Sequence, residues 1–123
     1  MTQEFKNTIE FHIAYSIMIN AAQHQGFCTY QEIARAINLP LSGNYMQDQI
    51  SELIGCVSQN EVDLGRPMLS SIVVGVSGKP GKGYFNFAKE LNHLQETEDP
   101  ITFWQSECQK VYDTWKIKYR LHK

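Results

Sequence analysis

The sequence predicts a mainly α chain with a small β element, an α+β fold organised as a winged helix-turn-helix with extra N- and C-terminal helices. Three observations predict it. Several stretches repeat apolar residues at helical spacing, one short run is rich in β-branched residues, and a glycine-, proline- and lysine-rich segment, Ser77-Gly-Lys-Pro-Gly-Lys-Gly83, follows that run.

The first helix spans about residues 3–25. Phe5, Ile9, Ile13 and Ile17 form one apolar row, and Phe11, Tyr15, Met18 and Ala22 form a second. A helix apolar on two sides is either sandwiched within its own domain or shared with a partner, and both readings stay open. Gly26 is the expected stop.

Thr29-Tyr-Gln-Glu32 is a capping box, so a second helix begins there, carries Ile33, Ala34 and Ile37 inward, and ends near Asn38, before Pro40. A turn through Leu41-Ser-Gly-Asn44 leads to a third helix striped by Met46, Ile50, Leu53, Ile54 and Val57, with Gly65-Arg-Pro67 as its limit. Two helices joined by so short a turn resemble a helix-turn-helix. Leu69–Val76 reads as a strand and 77–83 as a loop, the wing. Phe87, Ala88 and Leu91 suggest a short helix closing near His93. Asp99-Pro100 then caps a last helix whose stripe is Trp104, Cys108, Val111, Tyr112, Trp115 and Tyr119.

At 123 residues the chain is expected to form a single domain, 1–123, with a core at 29–94 and flanking helices at 3–25 and 99–120. A hydrophobic fraction of 42% and a charged fraction of 20% are those of a globular protein and argue against disorder. Cys28, Cys56 and Cys108 are odd in number and form no CxxC pair, which points away from a disulfide framework and toward a cytoplasmic protein. The N-terminal apolar stretch is broken by Glu10, His12, Ser16 and Asn20, so no membrane span or export signal is expected. Net charge is -2 but uneven. Residues 1–63 hold two bases against seven acids, a net -5, and the remainder holds nine bases against six acids, a net +3. Positive charge gathers at Lys79 and Lys82 and in the tail at Lys116, Lys118, Arg120 and Lys123.

Residues 29–94 resemble the DNA-binding domain of the alkylguanine-DNA alkyltransferases and the alkyltransferase-like proteins, a winged-helix variant. Thr29-Tyr-Gln-Glu-Ile-Ala34, with Ile37 and Pro40 after it, repeats that family's TYxxIA opening. Pro67, Ile72–Val74, Gly83-Tyr84 and the helix through Leu91 follow in the family's order. The family's proline-cysteine-histidine-arginine signature falls on Pro67-Met-Leu-Ser70, so the alkyl-accepting cysteine is missing and transfer has no nucleophile. The arginine that fills the gap left by a flipped base falls near Asn44, whereas Tyr30 matches the family's tyrosine beside the target phosphate.

These residues predict a non-catalytic module with no cofactor and no metal. His12, His24, His93 and His122 lack metal-ligand spacing, and no acid, base and nucleophile converge. Cys28 precedes a helix start, where the dipole can favour a thiolate, but without a histidine partner all three thiols read as buried and inert. The nucleic-acid-binding set is Tyr30, Asn44, Gln47, Lys79 and Lys82, with duplex DNA as the partner. Against it stand Asp48, Glu52 and Glu61, which would face phosphates. The alternative is a protein-interaction module, binding a partner or forming a homodimer through the N-terminal helix.

Overall fold

The computed structural model describes residues 5–39 and 43–116, with the backbone alone at 44–46. The Pro40 boundary, the Leu41-Ser42 part of the turn, the side chains of Asn44 and Met46, and the tail with Tyr119, Lys118, Arg120 and Lys123 lie outside the described residues. Among the described residues, five α-helices pack around a two-stranded parallel sheet. In chain order they are α1 (Ile9–Gln23), β1 (Cys28–Thr29), α2 (Tyr30–Ala36), α3 (Asn44–Asp63), a 3-10 helix (Leu69–Ile72), β2 (Val73–Val74), α4 (Lys82–Glu90) and α5 (Pro100–Trp115).

α1 starts later than its apolar rows suggest. Asn7 lies in the left-handed region at φ 66°, and the Thr8 hydroxyl accepts from the Phe11 N–H at 3.1 Å, making Thr8 the cap. At the other end Gln25, not Gly26, takes the left-handed conformation at φ 56°. The Gly26 N–H then reaches back to the Ala21 carbonyl at 2.9 Å. Its own domain covers the second apolar row, whereas in the first row Phe5, Ile13 and Ile17 are only half-buried. Phe11, Ala14, Met18 and Ala22 are buried against α2, α3, α5 and the 3-10 helix, while Ile9 at the N-terminal end stays 75% exposed.

The capping box at α2 is complete, with the Glu32 N–H donating to the Thr29 hydroxyl and the Thr29 N–H donating to the Glu32 carboxylate, both at 3.0 Å. Asn38, at φ 63°, ends the helix, and the Leu39 N–H bonds the Ala34 carbonyl at 2.9 Å. α3 buries Ile50, Leu53, Ile54 and Val57 as its stripe predicts, and also Cys56, Ser58 and Glu61.

The expected strand at Leu69–Val76 is mostly something else. Leu69–Ile72 is a 3-10 helix buried on every residue, and only Val73–Val74 is extended, pairing in parallel with Cys28–Thr29. Partners from elsewhere in the chain select this shape. The Ser70 hydroxyl bonds that of Ser58 at 2.9 Å, and the Ser71 hydroxyl bonds that of Tyr84 at 2.7 Å. The Ser71 carbonyl accepts from the Trp104 indole at 2.8 Å and from the Cys108 thiol at 3.4 Å. Both serine hydroxyls and the Ser71 carbonyl are thereby satisfied, which an extended run of alternating faces would not achieve for adjacent serines.

The lysine segment is a closed turn, not a β-hairpin. The Gly75 N–H bonds the Lys79 carbonyl, and the Gly78 N–H bonds the Gly75 carbonyl, each at 3.0 Å. The chain passes directly from this turn into α4, so Tyr84 and Phe85 are helical. α5 opens on Asp99, whose carboxylate accepts from the Thr102 N–H at 3.0 Å. Its aromatic stripe serves the core: Trp104, Cys108 and Val111 are buried, and the Tyr112 hydroxyl donates to the Gly26 carbonyl at 2.8 Å. No described helix is long and apolar enough to cross a membrane.

Candidate functional site

α2, the N-terminal half of α3, the 75–81 turn and α4 enclose a cleft of about 710 Å³. Its apolar walls are Ile50, Ile54, Val76, Tyr84 and Phe87, and its polar groups include Tyr30, Gln31, Gln47, Ser51, Glu52 and Lys82. The local folding explains the positions. The capping box at Thr29 starts α2 at Tyr30, and Gln47 continues the row of Ile50 and Ile54 one turn toward the start of α3, where it is exposed. Gly81 ends the lysine turn as the N-cap of α4, so that Lys82 is the helix's first residue.

Three of the five expected site residues therefore come together, since Tyr30, Gln47 and Lys82 all line one cleft. Lys79 is exposed and stands in the adjoining turn without lining the cleft. Asn44 is the first residue of α3. Tyr30 is half-buried, and its phenol oxygen accepts the Gly81 N–H at 2.8 Å. Burial raises the phenol's pKa above its ordinary value, with the Gly81 bond opposing, so the group stays protonated near neutral pH.

Sequence reasoning missed Val76 and Phe87 as cleft residues. Phe87 was legible only as part of a helical pattern, and Val76 only as a strand residue, although it is 97% exposed. Glu52, set against phosphates in the sequence, is half-buried in the cleft wall. Glu61 is not at the surface at all. It is fully buried and paired with Arg66 through two bonds, Nε to Oε1 at 2.9 Å and Nη2 to Oε2 at 2.7 Å. Tyr15 donates its hydroxyl to the same carboxylate and accepts from Arg66 at 3.1 Å, and the guanidinium lies 5.1 Å from the centre of the Trp115 ring.

Three of the hydroxyls around the cleft have partners within the protein. Ser70 is bonded to Ser58, Tyr84 to Ser71, and Tyr30 to the Gly81 amide. Burial pushes the Tyr84 phenol well up, with the Ser71 bond opposing. Met68, which takes the acceptor's position in the resemblance, is fully buried, and its N–H donates to the buried Glu107 carboxylate at 3.0 Å. The thiols are all buried. Burial, with the Glu32 charge adding to it, pushes Cys28 up to about 12. Cys108 is likewise pushed up to about 12 by burial and then Glu107, and burial raises Cys56. At Cys28 desolvation thus outweighs any help from the helix dipole. Among the described residues no group of three or more His, Cys, Asp or Glu side chains is arranged to hold a metal ion. Compared with known protein families, curated proteins and solved structures, the chain matches none.

Proposed function

We propose that this chain is a non-catalytic, winged-helix-like module that binds duplex DNA through the cleft face. The observation that carries this reading is the convergence of Tyr30, Gln47 and Lys82 on one cleft, with Lys79 in the turn beside it. Lysines and free helix-start amides suit phosphates, and Gln47 on the exposed side of α3 suits a base edge. The chain's TYxxIA opening and its resemblance to the alkyltransferase DNA-binding domain agree with this role. The buried Met68 and the engaged hydroxyls support a module that binds without chemistry. A cytoplasmic location belongs to the same reading, since raised, unpaired thiols suit a reducing compartment.

Fluorescence anisotropy with a labelled duplex at low salt tests it. Two phosphate contacts, from Lys79 and Lys82, give a slope of about -1.8 in log K against log salt, which is roughly a tenfold loss between 50 and 200 mM. Lys79→Glu with Lys82→Glu removes the binding. Absence of binding by the wild-type chain, or an unchanged slope in the double variant, overturns the assignment and leaves the protein-interaction module as the reading to pursue.

A further inference from the structure

The family resemblance implies a place for Tyr30 beside a phosphate, yet its oxygen already has a partner inside the protein. The Gly81 N–H donates to it at 2.8 Å across 51 residues of chain. The ring also lies along the glycines at both ends of the lysine turn: a Cβ at Gly75 would stand 3.8 Å from two ring carbons, and one at Gly81 would stand 3.4 Å from the phenol oxygen. Between those glycines the turn is closed by the Gly75–Lys79 and Gly78–Gly75 bonds. Gly81 itself has no side chain with which to cap α4, and no side-chain bond caps that helix start. The phenol is therefore the side-chain bond that ties this junction to α2.

We propose that Tyr30 is the positioning residue of the cleft, a pin that fixes the lysine turn and the start of α4 against α2, so that Lys79 and Lys82 are held in one preset arrangement. Two neighbouring lysines on an untethered glycine-rich turn would sample many separations, and ordering them on binding would weaken the complex. The aromatic ring supplies the wall and the oxygen supplies the tether. Among the described residues the phenol donates to no protein acceptor, so its hydrogen is still available to a ligand in the cleft. A phenol is neutral near pH 7 in any case, and burial raises its pKa further, so the pin keeps that hydrogen throughout the neutral range. The inference rests on the duplex reading only for what the lysines are presented to.

Tyr30→Phe keeps the ring and deletes the oxygen. By amide hydrogen exchange followed with NMR, the Gly81 N–H of the variant exchanges about three- to tenfold faster than in the wild type, and the amides of residues 76–79 gain fast motion. Amides in α1 and α5 keep their wild-type protection, which separates a released pin from general destabilisation. In the anisotropy titration the variant binds duplex about three- to tenfold more weakly with the salt slope unchanged, because no charge has been removed. A direct phosphate contact by Tyr30 predicts the weaker binding without any change at Gly81, and that result overturns the pin. Faster exchange with unaltered affinity overturns the positioning role. The exchange measurement needs no DNA, so it decides the pin even where the wild-type chain binds no duplex, which is the failure specific to the duplex reading. If Tyr30→Phe does not fold, Tyr30→Trp tests the same point with the ring wall kept and the acceptor lost. Its Gly81 amide must also exchange faster, and wild-type protection there overturns the pin.

Discussion

Replacing Arg66 with alanine leaves the Glu61 carboxylate buried with, among the described residues, Tyr15 alone as a side-chain partner. In the native protein Arg66 gives Glu61 two charge-assisted bonds and gives Tyr15 a third, and its guanidinium lies 5.1 Å from the Trp115 ring centre. Removing one member of a buried ion pair costs about 3–5 kcal/mol, because the remaining charge keeps its desolvation penalty and loses its compensation. The low end applies here. The Arg66 side chain is 33% exposed while that of Glu61 is fully enclosed, so water can enter the vacated space from one side only. A cost of about 3 kcal/mol is a large share of a stability of about 5–15 kcal/mol. With an unfolding entropy of roughly 2.1 cal/mol/K per residue it lowers the Tm of a chain this long by on the order of 12 °C. Urea denaturation of the wild type, Arg66→Ala, Glu61→Leu and the double variant Glu61→Leu with Arg66→Met measures it. The double variant recovers most of the loss, since the buried charge is gone and the space is filled by apolar atoms. A loss below about 1 kcal/mol in Arg66→Ala, or a double variant no better than the single one, refutes a buried, compensated carboxylate at position 61.

Other changes act on local features. Thr29→Ala removes one arm of the capping box and costs about 1 kcal/mol in urea denaturation, and an unchanged midpoint counts against the cap. Gln25→Gly relieves a left-handed backbone at φ 56° and stabilises by roughly 0.5–1 kcal/mol. A lower Tm in that variant shows that Gln25 contributes something its backbone strain does not reveal. The thiols set a pH dependence. Cys28 and Cys108 rise from an ordinary 9.0 to about 12 on folding, so between those values the unfolded chain loses protons that the folded chain keeps, and stability falls as pH rises through that window. Urea midpoints measured from pH 8 to pH 11 decline, and they decline less in a Cys28→Ala, Cys108→Ala variant compared with its own value at pH 8. The same burial makes both thiols slow toward a disulfide reagent at pH 8 until denaturant is added.

Local signals were legible where local physics decides. The α2 start is written in Thr29 and Glu32, two residues whose side chains satisfy each other's backbone N–H, and the α5 start in Asp99-Pro100. The stripe of α3 predicts Ile50, Leu53, Ile54 and Val57 inside, whereas Cys56 and Ser58, off that stripe, are buried only because neighbouring elements cover the helix on its other sides. The Leu69–Val76 run failed for the opposite reason. β-branched composition cannot distinguish a strand from a segment enclosed on all sides. The 3-10 turn depends on Ser58, Tyr84, Trp104 and Cys108, which are 12 to 37 residues away. The cleft was legible in part. Tyr30 comes from the resemblance at the TYxxIA opening, Gln47 from its place on the third helix and Lys82 from the glycine-lysine segment, whereas Val76 and Phe87 join them only through packing between elements.

The acidity of α3 weighed most heavily against DNA, and its three acids have three different situations. Glu61 is withdrawn into the core and neutralised by Arg66, so it repels nothing outside. Glu52 lies half-buried in the cleft wall, and Asp48 is exposed beside Gln47. Glu52 and Lys82 line the cleft, and the exposed Asp48 and Lys79 are next to lining residues in the chain, so these four charges balance near zero. A balanced face draws no duplex over a distance, because steering needs a field of one sign across the surface. Binding on such a face has to come from short-range contacts made in the right geometry, with each lysine close enough to a phosphate to outweigh a carboxylate on the other wall. That requirement gives a fixed lysine turn its importance. On a strongly basic surface a loose turn would bind well enough, whereas here the arrangement of two charges matters more than their number, and the bond from Gly81 to Tyr30 controls that arrangement.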